Sequence, residues 1–254
     1  MRTFKLEQSD KEITSHAGMA LIGAAINKYT SLTKMIDAAL PKRHGTSTSD
    51  MVKTTIGLLA QAKSDFQAIN NVRDDEYFHQ ALDLQKSIPT DTSIRTRYEK
   101  EANKIAPIVN QASVDFLVNS NAPVSALSTG HIPLDIDVTP HDNSNTKKEG
   151  VSYTYKGMDG YAPIACYLGM EGWSVRYELR PGSQHSQCDF IPTLDRTLAA
   201  VHPIMEKQPL SSQMLLIRLD SAHDSKETRT WHYEAKTPLL LDFIINRTYA
   251  LTAA

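Results

Sequence analysis

Ile22, Ile26, Tyr29, Leu32, Ile36 and Leu40 recur at three- and four-residue steps, which predicts one face of a helix ending at Pro41. The polar stretch PKRHGTSTSD reads as a loop. Thr48 or Ser49 is placed to cap a second helix with Val52, Ile56 and Leu59 inside. A third helical stretch is expected over DFQAINNVRDDEYFHQAL. SIPTDTS is a turn that leads into IRTRYEKEANKI, with Thr90 or Asp91 as cap. APIVNQASVDFLV carries one more apolar helical face, and NAPVSALSTG reads as a linker.

After about residue 130 the period shortens to two. Ile132, Leu134, Ile136 and Val138 alternate with the rest of HIPLDIDVT, as in a strand. PHDNSNTKKEGVSYTYKG is polar and punctuated by glycine, hence a long loop. YAPIACYL is nearly all apolar, as in a strand covered on both faces. A short turn leads to WSVRYELR, whose alternation predicts an edge strand with one wet face. CDFIPTLDRTLAAVHPIM then reads as a helix, MLLIRL as a buried strand, DSKETRTWHYEA as a helix and PLLLDFIIN as a final strand. The first three strands fit antiparallel hairpins, and the helical crossovers favour parallel neighbours. The predicted fold class is α/β: a ribonuclease-H-like mixed sheet, strands one and four adjacent, behind an all-helical N-terminal region. The expected domains are 1–125, helical and a candidate DNA-binding region, and 130–254, the ribonuclease-H-like part.

A chain of 254 residues can bury a real core, and a net charge of −2 carries no general signature for nucleic acid. Affinity for DNA would have to come from local patches. Cys166 and Cys188 form no CxxC pair and read as reduced thiols. MRTFKLEQSDKEITSH lacks the apolar core of a signal peptide, and no run of eighteen apolar residues occurs. A soluble, cytoplasmic protein is the expectation.

Two acids end apolar strands: Asp137 in HIPLDIDVT and Asp220 in MLLIRLDS. Carboxylates on neighbouring strands repel unless a cation neutralises them, and hard oxygen ligands suit Mg²⁺ or Mn²⁺. Asp135 leaves the same face as Asp137 and is a candidate supporting acid, or simply the partner of a basic neighbour. Asp220 alternatively begins a turn or caps a helix. Asp224 and Glu227 have metal-ligand spacing but fit a helix capping box better. Glu234 and Asp242 read as surface or packing groups, and His141 and His223, beside the acid-bearing ends, as solvated loop histidines, with contact to a substrate as the alternative. The nine histidines offer no zinc-type pair. Lys147, Lys148 and Lys156, with Tyr153 and Tyr155, are candidates to hold a phosphate backbone, although a solvated loop has the same composition. Arg95 and Arg97 are candidates for a helical DNA reader, diluted by Glu99 and Glu101. A rival reading takes DIDVT as the nucleophile motif of haloacid-dehalogenase-type phosphatases, with Asp135 attacking phosphorus. The polar loop and hairpin after Thr139 argue against it.

The wording of the chain adds to its spacing. LDIDVTPHDNSNTKKEGVSYTYKGMDGYAPIACYLGMEGW, ELRPGSQHSQ and LLIRLDSAHDS resemble bacterial insertion-sequence transposases with a DDE domain of the group-1 type. IGLLAQAKSDFQAINNVRDDEYFHQAL and IPTDTSIRTRYE resemble that family's helical region. The resemblance implies metal-dependent cutting and joining of DNA at element ends, with Asp137 and Asp220 as the first two catalytic acids. It also implies a third acid, a glutamate beyond the last strand, which has no counterpart here. With RTYALTAA closing the chain, this predicts a C-terminally truncated copy whose own catalysis is left open. The alternatives are a DNA-binding remnant that joins other subunits without cutting, and the phosphatase.

Overall fold

The computed structural model describes residues 16–207, 214–234, 239 and 241–246. The N-terminal stretch before residue 16 and the tail RTYALTAA lie outside them. The chain divides into two compact units at Val109 and Asn110.

In the first unit the periodic run from Ile22 to Leu40 forms two helices rather than one, α1 (Met19–Tyr29) and α2 (Leu32–Ala39). Thr30 lies between them in extended conformation. Its hydroxyl donates to Ile26 O at 2.7 Å and accepts from Leu32 N at 3.2 Å. The side chain thereby serves the end of one helix and the start of the next, a local alternative to the helical ladder. Ser47 caps α3 (Thr48–Ala60), its hydroxyl accepting from Asp50 N at 3.0 Å, in place of the expected Thr48 or Ser49.

The inner face of α3 is also turned from expectation. Val52 is buried, but Ile56 is only half-buried and Leu59 is 57 % exposed. Asp50 and Lys53 take inner positions instead, each 1 % exposed. The Asp50 carboxylate accepts from Gln85 N at 3.2 Å and Lys86 N at 3.1 Å, and lies 3.7 Å from Lys53 Nζ. Lys53 in turn donates to Asp83 O. A polar pair therefore faces the core, each member matched to backbone or charge, as burial requires.

A 3-10 turn (Phe66–Asn71) and α4 (Glu76–Ala81) follow, capped by Asp65 and Asp75. The two helices expected next are one, α5 (Asp91–Asn119), with Pro107 inside it and Thr90 accepting from Ser93 N as its cap. Proline removes one ladder bond. Ile94 and Ile105, buried before the boundary between the units, and Ala112, Val114 and Leu117, buried after it, offset that loss. Gly23 marks a close approach of α1 to α4: a Cβ there would lie 1.8 Å from Ala81 O. Gly23→Ala is expected to destabilise this unit by about 1–3 kcal/mol through forced separation of the two backbones. An unchanged urea midpoint would refute that close packing.

The second unit contains β1 (Ile132–Val138), β2 (His141–Asp142), β3 (Ser152–Tyr153), β4 (Asp159–Tyr161), β5 (Ile164–Leu168), β6 (Trp173–Glu178), α6 (Phe190–Lys207), β7 (Leu215–Asp220), α7 (Lys226–Glu234) and β8 (Leu241–Asn246). Its main sheet runs β6-β5-β1-β7-β8. β1–β5 and β5–β6 are antiparallel, whereas β1–β7 and β7–β8 are parallel. This is the expected ribonuclease-H-like arrangement: two hairpins, two crossovers, first and fourth long strands adjacent, and β6 at an edge. The long loop after β1 also folds, into a small sheet ordered β2-β4-β3.

Strand alternation sorts the main sheet into two faces. Leu134, Ile136, Ile217 and Leu219 are at most 3 % exposed and share one core with Leu194, Leu198 and Val201 of α6. Complete burial of such side chains contributes roughly 1.5–3 kcal/mol each. The intervening residues Asp135, Asp137, Arg218 and Asp220 leave the opposite face. Among the described residues, no helix is long and apolar enough to cross a membrane.

Candidate active site

The parallel pairing of β1 with β7 sets the site. Ile136 registers with Leu219, so Asp137 and Asp220 are the next residue on each strand, on the same face. Both are exposed. Just below them, Asp135 and Arg218 are register partners joined by two hydrogen bonds, Nε to Oδ1 and Nη2 to Oδ2, at 2.5 Å each. Asp135 thus has the basic neighbour that the sequence allowed for. In the phosphatase reading Asp135 would attack phosphorus. Its strand instead runs antiparallel to β5, the next strand of the main sheet, unlike the parallel continuation that reading requires.

Each exposed acid is oriented by its surroundings. Asp137 Oδ1 accepts from Val138 N at 2.8 Å. Asp220 Oδ1 accepts from Ala222 N at 3.2 Å and pairs with His223 Nδ1 at 2.7 Å. Asp220 therefore does begin a turn, the 3-10 turn Ser221–His223. Its Oδ2 has no hydrogen-bond partner among the described residues.

His223 is not the solvated histidine expected from sequence. It is fully buried, with its ring 4.5 Å from that of Phe190. Burial pushes its pKa below the ordinary histidine value, against the pull of Asp220. A carboxylate only accepts, so Nδ1 carries the proton and donates. Nε2 is buried without a partner, which suits the neutral ring. His141, by contrast, is exposed and meets the Tyr177 hydroxyl at 3.0 Å.

Beside the acids lies a cleft of about 580 Å³, lined by Val138, Tyr153, Tyr155, His185 and Asp220 among others. Tyr155 donates its hydroxyl to Val138 O at 3.1 Å. Its phenol is pushed above the ordinary value by burial first, and then by the charges of Asp137 and Asp220. The two carboxylates thus act on one hydroxyl, and both also act on His223. One wall, residues 182–186, comes from ELRPGSQHSQ, which periodicity alone marks only as a strand break.

The remaining candidates are dispersed. Lys147 and Lys148 are exposed in the loop between β2 and β3, and Lys156 lies 6.0 Å from the centre of the Tyr155 ring. In the first unit, Arg95 lies over the Phe66 ring at 5.5 Å while Arg97 donates to Thr48 Oγ1. Asp224 bonds Arg229, and Ser225 caps α7 by accepting from Thr228 N at 3.0 Å, so the expected capping box does not form. Asp242 is half exposed, 3.7 Å from His131 Nε2, and the Glu234 side chain lies outside the described residues.

Among the described residues no group of three acids, histidines or cysteines is arranged to hold a metal. Asp137 and Asp220 offer hard oxygen donors side by side, one of them unbonded. That donor set fits Mg²⁺, which keeps several waters and takes only one or two protein carboxylates.

The family model for the transposase DDE domain, group 1, matches residues 1–252. No curated protein matches the chain. Among solved structures, the chain is similar to a piggyBac transposase determined by cryo-EM in a synaptic complex with hairpin DNA. The identity is 10 % and the TM-score 0.42, over 92 % of this chain and 52 % of that one. The chain therefore spans about half the length of that transposase.

Proposed function

The chain belongs to the family of transposases with a group 1 DDE domain, and from that membership we propose that it cleaves and transfers DNA strands at insertion-sequence ends. Asp137 and Asp220 would hold Mg²⁺ or Mn²⁺. When bound, such an ion draws charge from the phosphodiester and activates the attacking oxygen. The observation that carries this reading is the β1–β7 register, which sets two exposed carboxylates side by side, with Asp220 lining the cleft.

The chain's own residues prepare that position. His223 and Ala222 N hold Asp220 Oδ1 and leave Oδ2 outward; Val138 N holds Asp137 Oδ1. Tyr155 remains a neutral donor near physiological pH and adds no charge where a phosphate would lie. Asp135 supports the pair from below, its charge matched by Arg218, so it does not add to the repulsion above. Lys147, Lys148 and Lys156 would hold the DNA backbone beside the cleft. Residues 1–125 would bind DNA, 130–254 would carry the chemistry, and the setting would be cytoplasmic. Further copies of the chain are proposed to join in assembly on DNA.

A duplex carrying the terminal repeats that flank the coding gene provides the test. Nicking is expected with Mg²⁺ and is expected to vanish when the ion is chelated. Duplex binding without nicking would overturn the enzymatic reading in favour of a DNA-binding remnant.

A further inference from the structure

The first unit contains a cleft of about 620 Å³ that the site above does not use. Four cations line it: Lys42 from the loop after α2, Arg73 from the turn before α4, and Arg97 and Lys100 from α5. Arg97 and Lys100 are three apart, hence on one side of their helix. No carboxylate lines the cleft, and none of the four cations has an ion-pair partner among the described residues. Asp91, the acid on the first turn of α5, is not part of the lining.

The cluster is held in place. Arg97 donates to Thr48 Oγ1 at 2.5 Å, which fixes the guanidinium from behind. Gly45, at φ +76°, takes a left-handed turn that leaves Lys42 Nζ 3.5 Å from where a Cβ would lie. Burial and the neighbouring Arg97 charge lower the pKa of Lys42. Thr90 and Ser93 add hydroxyls at the start of α5, where first-turn amides carry partial positive charge. Unpaired like charges drawn from separate segments repel, and a bound anion removes that cost.

We infer that this cleft binds phosphate, and that its occupant is a phosphodiester of a nucleic-acid backbone. Lys42, Arg73 and Lys100 are exposed rather than enclosing. Exposed cations hold a small free anion weakly, but bind a polyanion through release of its counterions. The occupant rests on the DNA reading above; the phosphate chemistry stands on the cleft itself.

The test uses the full chain with Lys42→Gln, Arg73→Gln and Lys100→Gln, singly and combined. Lys34→Gln is the matched control, because Lys34 is exposed on α2 and does not line the cleft. Anisotropy of a fluorescein-labelled random-sequence duplex is followed across salt concentrations, with circular dichroism confirming the fold of each variant. Each single change is expected to lower the salt slope by about one, and the combined variant to lose about tenfold or more in affinity. Unchanged affinity and slope in the combined variant, or an equal loss in Lys34→Gln, would overturn the site. Inorganic phosphate at matched ionic strength separates the sources. If it raises the Tm of the wild type while the variants keep duplex affinity, the ligand is free phosphate and the backbone assignment fails. A combined variant with full duplex affinity and intact Mg²⁺-dependent nicking would sink this inference alone. Cleft-dependent binding with no nicking would sink the strand-transfer reading alone.

Discussion

Asp220→Asn is expected to lower Mg²⁺-dependent strand nicking by roughly 10²–10³-fold, or about 3–4 kcal/mol of transition-state stabilisation. Asparagine keeps the shape of the side chain. Its carbonyl oxygen still accepts from Ala222 N and from His223 Nδ1, so the 3-10 turn and the burial of His223 survive. What is lost is the charge on the outward oxygen that would face the cation. Asp137→Asn is expected to match it in size, since that acid would offer the cation the same charge from the adjoining strand. Duplex affinity is expected to stay within about twofold in both, because phosphate contacts would come from cations rather than from these acids. Paired nicking and anisotropy assays separate the two quantities. Full nicking in either variant would remove that acid from the chemistry.

The largest effect on stability is expected from Asp50→Ala. That change leaves the Lys53 ammonium buried with Asp83 O but no nearby carboxylate, and takes the acceptor from the amides of Gln85 and Lys86. Removing one member of a buried pair costs about 3–5 kcal/mol, much of it the stranded partner. Urea unfolding followed by far-UV circular dichroism measures it. The double change Asp50→Leu with Lys53→Met is expected to recover part of the loss, because no isolated charge remains inside. An Asp50→Ala protein with the wild-type midpoint would show that the pair contributes nothing.

The two units differ in how far their sequence discloses them. The main sheet was readable because its strands bury one face or both. Ile132, Leu134, Ile136 and Val138 keep strict step with the pleat, and Leu215, Leu216 and Ile217 form an unbroken apolar run. That same alternation brought Asp137 and Asp220 to notice, since acids at the ends of such runs stand out. The α3 face departs from its apolar spacing because Asp50 and Lys53 sit inside, and their partners, the backbone of residues 83–86, are thirty or more positions away. The break between α1 and α2 hangs on one threonine hydroxyl, which apolar spacing does not register. β2, β3 and β4 have two or three residues each, too few to display a period. His223 looks like a loop residue because it follows a strand end, whereas Phe190, from another part of the chain, packs against its ring. Of the cleft in the first unit, sequence marks Arg97 alone as a DNA candidate. Its four cations come from three separate stretches, and Lys42, Arg73 and Lys100 each resemble an ordinary wet surface.

Asp135 and Arg218, the bonded pair beneath the exposed acids, are 83 positions apart. Hairpins between nearby strands close early and locally, whereas this central contact needs a long crossover to be threaded first. A nascent chain still missing β7 would carry Asp137 as a lone, ordinary surface acid. The topology therefore sets an order of assembly: the two exposed acids come side by side only once β7 is seated in the middle of the sheet.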